Sequence, residues 1–325
     1  MKALTLLRYP EGAPRPEDFE LVELADPVPG PGEVLVKVTH LSMDPLPRVR
    51  MQAKPVMGPP MRIGAPVEGR GVGRVIDSND PTFAEGDMVL GELGWQGLAV
   101  LPGAKLTKIR GGQPHQHLGA LGPTGLAAWF VVESLAPRGG ETLLVAPAAG
   151  AVGSLVCQIA AARTADLQLV GTAIGAEQAD YLDGIGVTPM AADADWPGPG
   201  GIDLFVDGVG GAFHDRMLAA LNPRARVLLL GFVSAYGEEG PPRYGNAGAV
   251  LLKRARMEGF LLADHMTDTP AVEAARKQLA AWLEDGTVRP AERLHHGLAS
   301  AAAAFSGLFT HSPPGKQIVE LEDKA

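Results

Sequence analysis

A short apolar run at 143–146 (Leu-Leu-Val-Ala) leads into Pro147-Ala148-Ala149-Gly150-Ala151-Val152-Gly153 and then a helical pattern over 152–163. Strand, glycine-bearing turn and helix in that order make a phosphate cradle. The helix N-terminus offers unpaired N–H groups and a partial positive charge. Gly150 would let the backbone approach a pyrophosphate, with Ala151 and Val152 beside it, and Gly153 would let the helix pack closely on the strand. The first glycine of the usual three is missing, with Ala148 standing there after Pro147, so the tight turn must be made another way. The second strand ends in Gly171-Thr172-Ala173-Ile174-Gly175, without the Asp or Glu that commonly holds a ribose 2′-hydroxyl. This absence points to NADP(H), whose 2′-phosphate a carboxylate would repel, and leaves NAD(H) open.

Other chemistries find little support. The single cysteine, Cys157, rules out a disulfide within the chain and any cysteine-rich metal site. His295 and His296 are neighbours and cannot share a helical face, and His40, His115, His117, His214, His265 and His311 show no ligand spacing. No metal site is expected. No nucleophilic triad or carboxylate pair stands out either, which suits a reaction whose hard step is carried by a cofactor.

The elements needed to hold such a loop can be read along the chain. Residues 1 to 117 are short strands broken by turns, such as Gly32-Glu33-Val34-Leu35-Val36-Lys37-Val38, and predict a mainly antiparallel, barrel-like β domain. From 118 strands alternate with helices: strands at 143–146, 167–172, 203–207 and 226–231, helices at 152–163, 177–185 and 213–221. That alternation predicts a parallel, doubly wound sheet. A further strand is expected at 256–262 and an amphipathic helix at 271–283. Strand character returns in Lys316-Gln317-Ile318-Val319-Glu320-Leu321. The order suggests a cofactor domain, 118–289, inserted in a β domain formed by 1–117 and 290–325.

The composition agrees with a globular enzyme: 325 residues allow two cores, and 46% hydrophobic with 20% charged residues argues against disorder. A net charge of −9 without a basic cluster speaks against a nucleic-acid partner. The densest basic run, Lys253-Arg254-Ala255-Arg256, reads as a solvated stretch before a strand. No secretory signal or membrane span is expected, so the location expected is cytoplasmic.

Several further segments, in order, resemble the zinc-free medium-chain dehydrogenase/reductase superfamily, closest to its prostaglandin/leukotriene reductase and bacterial alkenal/curcumin reductase subgroup. They are Leu41-Ser42-Met43-Asp44-Pro45-Leu46-Pro47-Arg48, the run 64–73, Leu121-Gly122-Pro123-Thr124-Gly125, Asp207-Gly208-Val209-Gly210-Gly211, Gly231-Phe232-Val233-Ser234-Ala235-Tyr236 and Arg256-Met257-Glu258-Gly259-Phe260. The resemblance implies a Rossmann-type doubly wound sheet inserted in a GroES-like β-barrel domain. Zinc-dependent relatives need a cysteine and a Gly-His-Glu, but Val67-Glu68-Gly69 falls where the histidine motif would be.

It also implies roles. Gly231, Phe232, Val233 and Ser234 would line the nicotinamide, and Phe260, Leu261 and Leu262 would close the far wall. The Tyr236 hydroxyl would lie near the nicotinamide ribose and the substrate carbonyl. Gln178 sits where the family places a lysine on the 2′-phosphate, Gly208 and Pro313 replace asparagines, and Leu46 replaces a tyrosine. The implied reaction is hydride transfer to the activated double bond of a small enone or enal, with Tyr236 as a donor to the developing enolate. A quinone reductase and a non-catalytic NADP(H)-binding protein are the alternatives. Asp44 and Arg48 are expected to form a structural pair or a turn brace, Cys157 to be a core residue, Trp95 and Trp129 to pack, and 256–262 to be the edge of a homodimer.

Overall fold

The strand-and-turn pattern of the first hundred residues folds as β1 (Lys2–Leu6), β2 (Phe19–Glu23), β3 (Glu33–Met43), the one-turn helix α1 (Pro47–Arg50), β4 (Gly71–Ser78), β5 (Met88–Gly91), β6 (Leu98–Pro102) and β7 (Thr107–Lys108). The structure, a computed structural model, describes residues 1–197, 200–238, 243–310 and 313–321. Alternation in β3 turns Val34, Val36 and Val38 inward, all nearly inaccessible, as a half-buried strand requires. Their core is filled by Trp95, with Phe19 at 5.5 Å and Phe305 at 5.3 Å between ring centroids. Trp95 is thus core packing, as its sequence suggests.

After α2 (Pro123–Leu135) the alternation of strand and helix begins: β8 (Thr142–Ala146), α3 (Ala151–Arg163), β9 (Gln168–Ala173), α4 (Gly175–Gly184), β10 (Thr188–Ala191), β11 (Ile202–Asp207), α5 (Gly211–Ala219) and β12 (Leu221–Leu229). It continues through α6 (Ala247–Lys253), β13 (Arg256–Gly259), α7 (Leu262–His265) and α8 (Thr269–Glu284). The six strands pair in parallel in the order β10-β9-β8-β11-β12-β13. The chain starts at the central β8, runs outward on one side, and returns to build the other. The fold is therefore the expected doubly wound α/β sheet.

The chain then goes back to the first sheet. β14 (Glu292–His296), α9 (Ser300–Gly307) and β15 (Lys316–Glu320) follow, and β15 pairs antiparallel with β3, Gln317 opposite Met43. The order β14-β15-β3-β4-β5-β7, with β6 also on β3, joins strands from both ends of the sequence.

Two strand expectations shift, each for a local reason. The strand expected at 226–231 begins at Leu221, bulges before Arg226, and ends at Leu229. It ends early because the Leu230 and Gly231 amides both turn onto the Asp207 carbonyl, at 2.7 and 3.2 Å. The strand expected at 256–262 stops at Gly259, and Leu262 opens α7 instead. Phe260 there turns into the core, where His265 stacks between it and Phe130 at 5.1 and 4.7 Å. In the basic run, Lys253 closes α6 and Arg254 takes a left-handed conformation, φ 52°, before β13.

Cys157 lies on α3 with no exposed surface, and burial pushes its thiol up to about 12. The native chain is expected to give no reaction with a thiol reagent at about pH 8, and one thiol per chain after denaturation. Rapid labelling of the folded protein would show that α3 opens far more readily than this packing allows.

Candidate active site

In a doubly wound sheet the crevice forms outside the carboxyl ends of the strands, where the strand order reverses. Here the reversal lies between β9 and β11 on either side of β8. The loops leaving this end are 147–150 after β8, 208–210 after β11 and 230–236 after β12. Three of the segments singled out in the sequence, those at 147–153, 207–211 and 231–236, therefore share one edge of one sheet.

The loop after β8 is shaped by close approach. A Cβ on Gly153 would stand 2.0 Å from the Pro147 carbonyl oxygen, so helix and turn could not keep this distance with any larger residue. Ala148, in the place of the missing first glycine, fills a matching gap, since its methyl lies 2.4 Å from where a Gly171 Cβ would be. The Ala146–Pro147 peptide here is cis. Gly150 is different. It is the N-cap of α3 at φ −73°, and a Cβ there would meet nothing nearer than the Pro147 ring at 3.6 Å. The fold does not need glycine at 150; a ligand approaching the backbone would. No side chain caps this end of α3, so the first-turn amides of Ala151, Val152 and Gly153 remain available to an anion. The residues present fit a dinucleotide pyrophosphate.

The loops after β11 and β12 form one body. Gly208 N donates to the Ala146 carbonyl at 2.6 Å, Val233 N to the Gly208 carbonyl at 3.0 Å, and Ser234 Oγ to the Val209 carbonyl at 2.6 Å. Val233 and Ser234 start a single 3-10 turn that carries the chain to Tyr236. The Tyr236 ring packs on Phe232 at 4.9 Å, and its hydroxyl oxygen is 3.1 Å from where a Cβ on Gly231 would be. Burial raises the phenol above its ordinary value, against a lowering contact from the Phe232 amide. A second phenol, not anticipated from the sequence, meets the same residue: Tyr244 donates to the Gly231 carbonyl at 3.2 Å.

The remaining expected site residues are more dispersed. Gln178 on α4 accepts the Ile174 amide at 2.8 Å, closing the start of its own helix beside the end of β9. Phe260 is buried in the core around α2, α3 and β8, Leu261 is exposed, and Leu262 packs against that core. The Pro313 carbonyl accepts from Gln317 at 3.1 Å.

The expected Asp44–Arg48 pair does not form. The Arg48 guanidinium, buried, donates to the Pro10, Gly12 and Met51 carbonyls and braces the loop before β2. A Cβ on Gly237 would touch the same guanidinium at 2.8 Å, so α1 abuts the Tyr236 loop. Asp44 instead pairs with Lys316, some 270 residues away in sequence, and accepts from Ser42 at 2.6 Å. Burial pushes the Asp44 carboxyl up, but Lys316, Ser42 and Arg70 together hold it below the ordinary range. Lys316 follows Gly315, whose amide donates to the Ala149 carbonyl at 2.8 Å, so this pair ties β15 to the glycine loop's neighbourhood.

Lys316→Met is expected to cost about 2 kcal/mol, below the 3–5 of a fully buried pair, because the Asp44 side chain keeps 35% of its surface exposed. With the carboxyl's folded value lowered, this stabilisation is present above the unfolded value and lost as pH falls through the folded one. Denaturant unfolding of both proteins should therefore converge at acid pH. A difference that persists unchanged there would mean that the pair is not its source.

Comparison with known proteins agrees with this geometry. Residues 2–109 match the profile of an N-terminal domain of oxidoreductases, and residues 175–319 that of a zinc-binding dehydrogenase. The chain is 34% identical to the NADPH-dependent curcumin reductase of Escherichia coli (strain K12), over 97% of this chain and 95% of the relative. It is 34% identical to a 2-alkenal reductase (NADP(+)-dependent) of Nicotiana tabacum, over 98% and 96%. The crystal structure of CurA in complex with NADPH from Vibrio vulnificus superposes with a TM-score of 0.88 at 30% identity, covering 99% of this chain and all of that one. The chain belongs to the medium-chain dehydrogenase/reductase family, in its zinc-free branch with the curcumin, prostaglandin and 2-alkenal reductases. The second profile's name refers to zinc, but the one cysteine of this chain is buried in α3, and among the described residues no group of three or more His, Cys, Asp or Glu side chains is arranged to hold a metal ion.

Proposed function

We propose that the chain is an NADPH-dependent reductase that adds hydride to the double bond of a small enone or enal. The observation that carries this reading is the uncapped N-terminus of α3 behind Gly150, at the sheet's switch point, beside the Tyr236 loop. Relatives of this family matched along nearly their full length, among them an NADPH-dependent curcumin reductase and a 2-alkenal reductase, support it. When bound, NADPH supplies the hydride.

The chain's own residues bind, orient and exclude water. The amides at Gly150, Ala151, Val152 and Gly153 hold the pyrophosphate, and Gln178 stands on the 2′-phosphate side. Gly208, Gly231, Phe232, Val233 and Ser234 form the wall for the nicotinamide, backed by the segment Phe260 to Leu262. Tyr236 donates its phenolic proton towards the substrate carbonyl oxygen, where negative charge grows as the β-carbon is reduced. The 1–117 and 290–325 segments supply the other wall of the cleft, and 118–289 the cofactor side. The protein acts in the cytoplasm on a small-molecule substrate, with no nucleic acid or membrane as partner.

A homodimer is part of the reading. β13 is the last strand of the six, and Leu251, Leu252 and Leu261 beside it are 77%, 75% and 57% exposed. An uncovered edge flanked by apolar side chains is a pairing surface. Light scattering after size exclusion is expected to give twice the chain mass, and a monomer mass would remove this part.

The reaction is tested by following loss of NADPH with a panel of enals, enones and quinones. Saturable turnover with an enone and a product that keeps its carbonyl but loses its double bond is expected. Turnover with quinones alone would reassign the chain as a quinone reductase.

A further inference from the structure

We propose that Asp207 and His214 form a buried positioning pair that fixes the two loops against which the nicotinamide lies, with Tyr244 as its outer clamp. This rests on the reading of those loops given above. Asp207 ends β11 with no exposed surface. One carboxylate oxygen accepts the Val209 and Gly210 amides at 2.8 and 2.9 Å, and the other meets His214 Nδ1 at 2.7 Å. Its carbonyl accepts the Leu230 and Gly231 amides. A single residue thus grips the β11 loop with its side chain and the β12 loop with its backbone.

The turn is made to wrap that carboxylate. Gly210 and Gly211 both have positive φ, 72° and 60°, which residues with a Cβ adopt only at a cost. With one oxygen already accepting two amides, the hydrogen bond from the ring to the other oxygen calls for the His214 proton on Nδ1. The imidazole is also fully buried, and its Nε2 has no hydrogen-bond partner among the described residues. The ring lies against Tyr244, 4.8 Å between centroids and near perpendicular, and the Tyr244 hydroxyl reaches the Gly231 carbonyl. Asp207, His214, Tyr244 and Gly231 therefore close a circuit that spans both loops. A buried carboxylate left short of one donor would recover it by shifting its neighbours, and here its neighbours are the wall of the cleft.

The pyrophosphate grip lies on a different element, α3. Affinity and ring placement are thus held by separate parts of the chain, and hydride transfer is far more sensitive to placement. A displacement near 1 Å costs about 100-fold in rate. Loss of the His214 contact should lower the rate much more than it lowers NADPH affinity.

The test compares His214→Leu, which removes the donor, with His214→Asn, whose amide nitrogen can replace Nδ1. Three quantities are measured: single-turnover NADPH oxidation by an enone, NADPH affinity by fluorescence, and amide hydrogen exchange at 208–211 and 230–234 in the protein without NADPH. Expected for the Leu variant is a rate lower by about tenfold or more, an affinity within about threefold, and faster exchange in both loops, with the Asn variant recovering most of each. Should the Leu variant not fold, Tyr244→Phe is expected to show the same split at about threefold in rate. A Leu (or, in its place, Tyr244→Phe) rate within twofold of the parent overturns the proposal, as does a parallel fall in rate, affinity and melting temperature that Asn does not recover. A parent protein that does not bind NADPH at all overturns the functional reading first, and this pair's role with it.

Discussion

Gly153→Ala is expected to lose both stability and cofactor binding, whereas Gly150→Ala should lose binding alone. The added methyl at 153 would lie 2.0 Å from the Pro147 carbonyl oxygen and 2.9 Å from the Ala148 Cα, and neither is a flexible side-chain end that can swing away. The N-terminus of α3 must lift from β8, which disturbs the packing of Leu155, Val156 and Ile159 in the largest core. Overpacking of this kind costs about 1–3 kcal/mol. The same movement withdraws the first-turn amides, so NADPH affinity should fall about 100-fold or more, about 2.8 kcal/mol at tenfold per 1.4. At Gly150 the new methyl meets the Pro147 ring at 3.6 Å and the Pro147 carbonyl oxygen at 3.7 Å, both ordinary contacts, and the backbone is already in a region open to alanine. Melting temperature should stay within error there while NADPH affinity drops, because the methyl occupies the space proposed for the pyrophosphate. Thermal unfolding and fluorescence titration of the two variants check this. Equal loss of stability at both sites, or unchanged affinity in Gly150→Ala, would remove the loop from the cofactor site.

Tyr236→Phe carries the second large effect. The hydroxyl lies over Gly231 at the mouth of the proposed nicotinamide wall, and burial holds the phenol above its ordinary value. It therefore stays protonated through the neutral range and beyond, so the donor should impose no alkaline limb on kcat below about pH 10. Removing one donor from a growing oxyanion costs about 100- to 1,000-fold in kcat. The variant should keep its NADPH affinity, since the ring of the new side chain still packs on Phe232. A kcat within threefold of the parent would mean that the enolate is met by another donor, and Tyr244, bonded to the same Gly231, is the next to replace.

What the sequence makes legible follows from how local each signal is. The glycine loop is legible because its requirement, close approach of a helix to the turn before it, is settled within seven residues. The parallel sheet is legible from the period of its strands and helices, and the return of the chain from the strand pattern around Ile318. Partnerships across the chain are not. Asp44 and Arg48, four apart, suggest a pair, yet each is satisfied elsewhere, Asp44 by Lys316 and Arg48 by three carbonyls. Nothing local announces that β15 brings a lysine beside β3. Tyr244 and His214 were also out of reach, since their meeting depends on how α5 and α6 fold back onto β11 and β12. Asp207 did carry a signal: an Asp immediately before a glycine-rich turn commonly accepts the turn's own amides.

Strand ends were displaced where backbone groups found a tertiary partner. Leu230 and Gly231 leave β12 for the Asp207 carbonyl, and Phe260 leaves the edge of β13 for an aromatic stack. The first of these departures builds the candidate site, which is where local pattern and final structure are expected to part.

The most direct test of the central claim is a fluorescence titration of the purified protein with NADPH and with NADH, followed by addition of an enone to the complex. Saturable binding that favours NADPH, with the nicotinamide signal lost only after the enone is added, is the result expected. Binding of neither nucleotide, or a bound NADPH that no enone discharges, would contradict the assignment of this cleft as an NADPH-dependent alkene reductase.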